Sequence, residues 1–297
     1  MAANTATALN ARARRRTLSS PRRVIRIAFS YAVLVLVTLL LLVPIIWMVV
    51  TSLKTDTEYN AWPIRFLPAK AQWQNYAQVF APQHHILKYA RNSLFLAVTY
   101  AVLTIIASSM GGFAFSRFQD VPGRNKLFSI VLALIIIPGI VTLIPQFIIF
   151  SRLKLTNTYW PWVLWGITGS ASGIFMFRQF FLSFPTELED AAEVDGCNPF
   201  RIYWQIFLPN AKPVLATAFI QGFSWVWGDW FTPVIYLSAE NTTLAVKLAT
   251  AYVNPQGYTL ITITLAACVV YVLPPLIMFF LGQKHILKGV ISSGLKG

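Results

Sequence analysis

The residues best able to do polar chemistry crowd into one stretch. From Pro185 to Pro209 the chain reads PTELEDAAEVDGCNPFRIYWQIFLP, and Glu187, Glu189, Asp190, Glu193 and Asp195 place five of the chain's ten acids within nine residues. Around them the pattern predicts two short helices joined by a glycine. Thr186 and Glu189 have the spacing of a capping box, which starts a helix by pairing its free N–H groups. Leu188, Ala191 and Ala192 fall at i, i+3, i+4 as a small apolar stripe, with the carboxylates on the other side. Gly196 suits a left-handed helix stop. Asn198 as N-cap and Pro199 at the first helical position restart a helix. Phe200, Tyr203, Trp204 and Phe207 then form an aromatic face that Pro209 ends. A plain amphipathic surface helix would show the same pattern, so the stretch is a docking surface or an ordinary loop helix.

Other chemistry is sparse. There is no G-x-x-x-x-G-K-[ST] phosphate loop and no Ser/His/Asp or Cys/His set. Cys197 and Cys268 lie in neither a CxxC nor a metal-ligand spacing, which supports neither a disulfide framework nor a zinc site. His84, His85 and His285 carry no ligand role. The chain by itself is not expected to be an enzyme.

The elements that position the acidic stretch are apolar. Of 297 residues, 56% are hydrophobic and 11% charged, with mean hydropathy +0.60. That balance belongs to membrane proteins. A net charge of +14 would suggest nucleic acid in a soluble protein. Here the basic residues stand beside apolar runs and suit anionic lipid head groups instead, so no nucleic-acid partner is expected. Six runs long enough for a hydrocarbon core of about 30 Å fall near 27–50, 92–113, 127–150, 160–181, 213–237 and 260–282. Residues 1–26 form a basic tail with seven arginines, and no cleavage site follows it that would mark a secretory signal. Lys and Arg number sixteen on the side of the two termini and eight on the other, which places both termini and the acidic stretch in the cytoplasm. The long outer segment, 51–91, carries Trp62, Trp73 and Tyr76 and reads as short helices at the outer interface.

Within the spans, Gly169 and Gly173 form a GxxxG among Gly166, Ser170, Ala171 and Ser172, a pattern for close helix packing. Pro138 and Pro145 predict kinks that either line a pathway or pack. Gln221 lies about 15 Å along the fifth run. It lines a pore or bonds a neighbouring helix. Asp229, among Trp225, Trp227 and Trp230, reads as a hydrated carboxylate at the outer interface.

The acidic stretch resembles the EAA loop of ABC-importer permeases, whose pattern is E-A-A, two residues, D-G, and an apolar-Leu-Pro ending. Asp190-Ala191-Ala192, Asp195-Gly196 and Ile206-Phe207-Leu208-Pro209 stand at those spacings, with Asp190 one methylene shorter than the family's Glu. Thr51-Ser52-Leu53-Lys54, Asn75-Tyr76, Asn92-Ser93, Arg117-Phe118, Arg178-Gln179-Phe180-Phe181 and the tail from Lys288 to Gly297 resemble the maltose-type carbohydrate branch. The likeness spans about 30–297. It implies an all-α, polytopic membrane protein with six transmembrane helices and a cytoplasmic coupling-helix loop at 185–209, acting as the transmembrane permease subunit of a sugar or oligosaccharide importer in a bacterial or archaeal plasma membrane.

Its implied partners are a second homologous permease, two ATPase subunits, an extracytoplasmic solute-binding protein and membrane lipids. ATP and Mg would bind the partner ATPase, with no cofactor on this chain. Glu187, Asp190, Ala191, Ala192, Asp195 and Gly196 are the implied coupling residues, braced against the spans by Phe200, Tyr203 and Phe207. Gln221 and Pro138 are the pore-lining candidates. The end of the tail, Ser292 to Gly297, would reach between the ATPase subunits. A permease for a phosphorylated polyol, a polyamine or another small solute is the nearest alternative. A stand-alone secondary transporter predicts intramembrane charges and inverted repeats, neither of which stands out. A receptor or scaffold would not need the loop.

Overall fold

The computed structural model describes residues 21–254 and 256–294, with side chains over 24–254 and 256–284. The chain divides into two compact units, one ending at Trp73 and one beginning at Gln74.

In the first unit, α1 (Pro21–Ser52) runs for 32 residues, about 48 Å at 1.5 Å per residue. Proline is well suited to a helix's first position, and the helix starts there, so Arg22, Arg23 and Arg26 lie on α1 and not in the expected tail. Residues 1–20 of that tail fall outside the described residues. No part of the most apolar window of α1 is buried within the protein. Such a surface needs lipid or a partner. Beyond it, Lys54 Nζ donates to the Arg65 carbonyl and lies 4.6 Å from the Trp47 ring centre. A capping box then forms between Thr55 and Glu58 and starts α2 (Asp56–Tyr59). Glu58 also accepts from the Ala69 N–H at 2.9 Å, and these backbone donors hold its carboxyl below the usual range.

The second unit begins with α3 (Gln74–Val79) and a 3₁₀ turn, Pro82–His84. Its centre is α4 (Ile86–Arg117). Around α4 pack α7 (Trp160–Thr168), α8 (Ala171–Leu182) and α12 (Lys212–Gly228), and α12 packs in turn on α15 (Ile261–Gly294). Small residues allow this closeness. A Cβ on Gly112 would lie 2.5 Å from Phe177 Cβ, and one on Gly166 would lie 2.8 Å from Leu103 Cβ. Lipid tails supply no hydrophobic drive between helices, so backbone approach and dispersion must supply the cohesion.

Three of the expected continuous runs are broken. The third is α5 (Arg124–Ile136) and α6 (Gly139–Arg152), bent by 98°. Pro138 causes the break, because it has no N–H to continue α5 and forces Ile137 into an extended conformation. Pro145 sits inside α6 without ending it. The fourth run divides into α7 and α8 at Gly169, whose φ is +70°. The fifth divides at Asp229 into α12 and α13 (Phe231–Tyr236). Asp229 Oδ1 accepts from the Phe231 and Thr232 N–H groups at 3.0 Å each, so its partly exposed carboxylate also caps the start of α13.

The described residues are helical with one isolated bridge, Val253–Thr259. Three helices are long and apolar enough to cross a membrane, or four if the bent pair is one crossing. The sequence pattern predicts six. The difference lies at the breaks, which leave lengths such as the 17 residues of α12.

On α4, Asn92 Nδ2 donates to the Thr242 carbonyl at 3.1 Å and Ser93 Oγ accepts from the Leu244 N–H at 2.8 Å. This pair fixes the start of α14 (Leu244–Ala249). Trp227 stacks on Tyr271 at 5.4 Å and ties α12 to α15.

Candidate functional site

At the Arg117 end of α4 the acidic stretch folds as α9 (Glu187–Val194), α10 (Pro199–Ile202), a π turn over Tyr203–Phe207, and α11 (Leu208–Asn210). The joint between α9 and α10 follows the sequence pattern. Gly196 has φ +79°, the Cys197 N–H donates to the Ala192 carbonyl and the Gly196 N–H to Glu193, both at 2.9 Å. Those bonds close a Schellman motif. Asn198 Oδ1 accepts from the Arg201 N–H at 2.8 Å, with Pro199 first in the helix.

Three local expectations do not hold. Thr186 is itself helical and its hydroxyl caps nothing. The Glu189 carboxylate that would complete the box lies instead 3.3 Å from Arg117 Nε, an ion pair without hydrogen-bond alignment. Second, Leu188, Ala191 and Ala192 do not form a stripe set apart from the carboxylates. Ala192 is buried, while Leu188 and Ala191 are exposed and Val194 is 89% exposed. The inward face is Glu189 and Ala192, at i and i+3. Third, Pro209 does not end the helical path. The Leu208 N–H reaches back five residues to the Tyr203 carbonyl, and the chain continues through α11 to Ala211. The π turn absorbs the residue that cannot donate.

The stretch is held by a second core. Phe207 is fully buried, with ring centres 5.0 Å from Phe113, 5.1 Å from Phe184 and 5.4 Å from Phe181. Tyr203 is buried, and its hydroxyl pairs with Ser109 Oγ on α4 at 2.8 Å. Burial pushes that phenol up from its ordinary value, and the bond to Ser109 pulls the other way. Of the three residues expected to brace the loop, Tyr203 and Phe207 are buried, whereas Phe200 is 64% exposed and stacks on exposed Trp204. Glu187, Asp190, Asp195 and Gly196 are exposed on the outer side of the stretch.

Arg117 is the node that residue-by-residue chemistry misses. It enters the sequence reading only within an Arg-Phe dipeptide. In the structure its side chain is 5% exposed and its Nη2 donates to the Phe181 and Phe184 carbonyls at 2.9 and 3.1 Å. Its guanidinium carbon lies 4.7 Å from the Phe207 ring centre. One side chain thus joins α4, the end of α8, α9 and the π turn. Burial pushes the Glu189 carboxyl above the usual range, Arg117 pulls it down, and Glu193 and Asp190 push it up.

A cavity of about 680 Å³ lies between α4, α8 and α12. Ser108, Ser170 and Gln221 give it hydroxyl and amide groups, and Trp225, 73% exposed, gives it an indole. Gln221, one of the two pore-lining candidates, lines this cavity. Pro138 is exposed at the α5–α6 break and is not among the lining residues. Gly169 and Gly173 serve packing, each approaching Ser108 on α4. No group of three His, Cys, Asp or Glu side chains able to hold a metal occurs among the described residues. The tail segment Ser292–Gly297 lies outside the described side chains.

Comparison with known proteins agrees with this arrangement. The family described as the binding-protein-dependent transport system inner membrane component matches residues 104–292. The arabinooligosaccharides transport system permease protein AraQ of Halalkalibacterium halodurans is 32% identical over 258 residues, covering 86% of this chain and 91% of its own. The lactose transport system permease protein LacG of Rhizobium radiobacter is 32% identical, covering 89% and 94%. A crystal structure of a bacterial ABC transporter involved in the import of the acidic polysaccharide alginate contains a chain of the same fold, with TM-score 0.78 and 24% identity over 90% of this chain and 98% of that one.

Proposed function

Since the chain belongs to the family of binding-protein-dependent transport system inner membrane components, we propose that it is one transmembrane subunit of an ATP-driven importer for a neutral sugar or oligosaccharide. It works beside a second homologous permease, above two ATPase subunits that hold ATP and Mg, and below an extracytoplasmic solute-binding protein. Residues 27–297 form the permease domain in this reading. Each broken pair, α5 with α6, α7 with α8, and α12 with α13, completes one crossing, which gives six. Both termini and the 185–209 loop face the cytoplasm, in line with the excess of basic residues on that side.

The observation that carries the reading is the form of α9. Its inward face is clamped by Arg117, while Leu188, Ala191 and Val194 form an exposed apolar ridge flanked by Glu187, Asp190 and Asp195. A ridge of this kind fits a cleft on an ATPase subunit. Closure of the ATPase pair then moves α9, and the aromatic core around Phe207 passes the displacement to α4 and α8. The permease is the two-state element, and ATP biases it because docking differs between the two states.

The substrate class follows from the cavity. None of its lining residues is Asp, Glu, Lys or Arg. A phosphorylated polyol or a polyamine would enter without a counter-charge, at a high desolvation cost. Hydroxyl and amide groups with an exposed indole suit a sugar, whose faces are apolar and whose rim is hydroxylated. The cavity's size is that of a small-molecule site. The relatives that carry arabinooligosaccharides and lactose point to the same class.

The test is affinity purification of the tagged chain from native membranes, with mass spectrometry of its companions, run for wild type and Val194→Asp. Wild type should bring an ATPase and a second permease. The variant should keep the permease and lose the ATPase about tenfold or more, because burying an unpaired polar group costs about 1–3 kcal/mol. Equal recovery of the ATPase would remove α9 as the docking face. A wild type recovered alone would remove the importer reading itself.

A further inference from the structure

Outside the loop and the cavity, two arginines converge without a carboxylate between them. Arg178 on α8 donates through Nε to the Phe115 carbonyl at 3.2 Å, and its guanidinium carbon lies 4.3 Å from the centre of the Phe128 ring. That ring is also held by Phe115 at 5.3 Å and stacked on Phe175. Arg178 is therefore fixed in direction, with both Nη groups left over. Arg124 stands one turn before Phe128 on α5, on the same helix face as the ring that Arg178 covers. Its side chain makes one hydrogen bond within the protein, from Nη2 to Asn125 Oδ1 at 3.1 Å. Among the described residues neither arginine has a carboxylate within ion-pair distance, so neither is neutralised. Asp120, exposed in the connecting segment, pairs with neither.

Two half-buried cations held together in this way call for an anion. What lies next to them says which kind. From Arg124 the exposed residues Leu127, Ile130 and Leu134 run down one stripe of α5, each more than half exposed. A charged end and an apolar stripe along a crossing helix match the head and tail of one amphiphile. We propose that Arg124 and Arg178 bind the phosphate of an anionic phospholipid, with an acyl chain along Leu127, Ile130 and Leu134. The guanidinium forks suit phosphate oxygens. The lipid would neutralise the pair and pin the α5–α8 contact near the start of the 185–209 loop. This site needs the chain to span a membrane, but it needs no ATPase or sugar.

The experiment is native mass spectrometry of the delipidated full chain in detergent, titrated with phosphatidylglycerol, with phosphatidylcholine and with inorganic phosphate. Wild type, Arg124→Gln, Arg178→Lys and a control, Lys126→Gln, are compared. Arg124 anchors nothing in the fold, so its variant should melt as wild type does. One phosphatidylglycerol should bind wild type in preference to phosphatidylcholine. Arg124→Gln should weaken it about fivefold, the share expected of one basic side chain near an anionic surface. Arg178→Lys should weaken it less, and Lys126→Gln not at all. Equal binding by all four proteins would overturn the site. Phosphate that binds alone and displaces the lipid would make it a free-phosphate site and reject the lipid. If Arg124→Gln keeps its lipid but loses a co-purifying ATPase, the pair belongs to a protein interface and the proposal fails.

Discussion

Replacing Arg117 by methionine keeps the apolar stem and removes the guanidinium. What is lost is specific: two hydrogen bonds to the Phe181 and Phe184 carbonyls, the ion pair to Glu189 and the contact with the Phe207 ring. These terms do not simply add, because they share one group. Removing one partner of a buried pair costs about 3–5 kcal/mol. Glu189 keeps 19% of its side-chain exposure, so part of its charge is already hydrated and the low end applies. About 3 kcal/mol corresponds to roughly a hundredfold in the opening equilibrium of the loop. The contacts sit at one end of the unit, so the loss should be local.

Hydrogen exchange on the purified chain reads this directly. Amides of Glu187–Val194 should lose about a hundredfold in protection, while those around Trp162, Tyr236 and Phe223, which are buried together in a core separate from that around Phe207, should not change. Transport and ATPase recovery should fall together. Arg117→Lys keeps a charge but not the fork, so it should fall between the two. Unchanged protection over α9 in Arg117→Met would show that the aromatic core alone holds the loop. Equal loss across both cores would show that Arg117 supports the whole fold. Either result refutes the clamp.

Three further outcomes follow from the same geometry. Burial raises the Glu189 carboxyl in spite of Arg117, so its contribution is full below the ordinary glutamate value and is lost as pH rises through the raised one. Protection of α9, corrected for intrinsic exchange, should therefore be higher at mildly acidic pH than at neutral pH, and Glu189→Gln should flatten the dependence. Gly112→Val places a branched side chain where a single Cβ already lies 2.5 Å from Phe177 Cβ. Overpacking of this kind costs about 1–3 kcal/mol, which a lower melting midpoint in detergent would register. Asn198→Ala removes the cap of α10 and should cost about 1 kcal/mol. That loss should appear as faster exchange at Arg201, whose N–H the cap accepts.

The sequence was most legible where one residue type meets one backbone demand. Gly196 with its positive φ, Asn198 with Pro199, and the break at Pro138 follow from local sterics alone. Membrane class and the packing role of the small residues also follow from composition and spacing. The failures share a different cause. The Thr186 capping box is correct as a local pattern, yet Glu189 is drawn inward by an arginine 72 positions earlier in the chain. Once Glu189 faces in beside Ala192, the helix must turn Leu188, Ala191 and Val194 out, so apolar residues and carboxylates no longer lie on separate sides. The 25 residues from Pro185 to Pro209 do not include Arg117, so a reading confined to them could not orient α9 correctly. The π turn has the same origin. The local pattern reads as an α-helix ending at Pro209, whereas the chain widens to a π turn over Tyr203–Phe207, where both rings are buried beside Phe113. The orientation of α9 is thus set by the body it packs on: the grip of Arg117 on its inner side leaves Leu188, Ala191 and Val194 exposed, as the proposed docking needs.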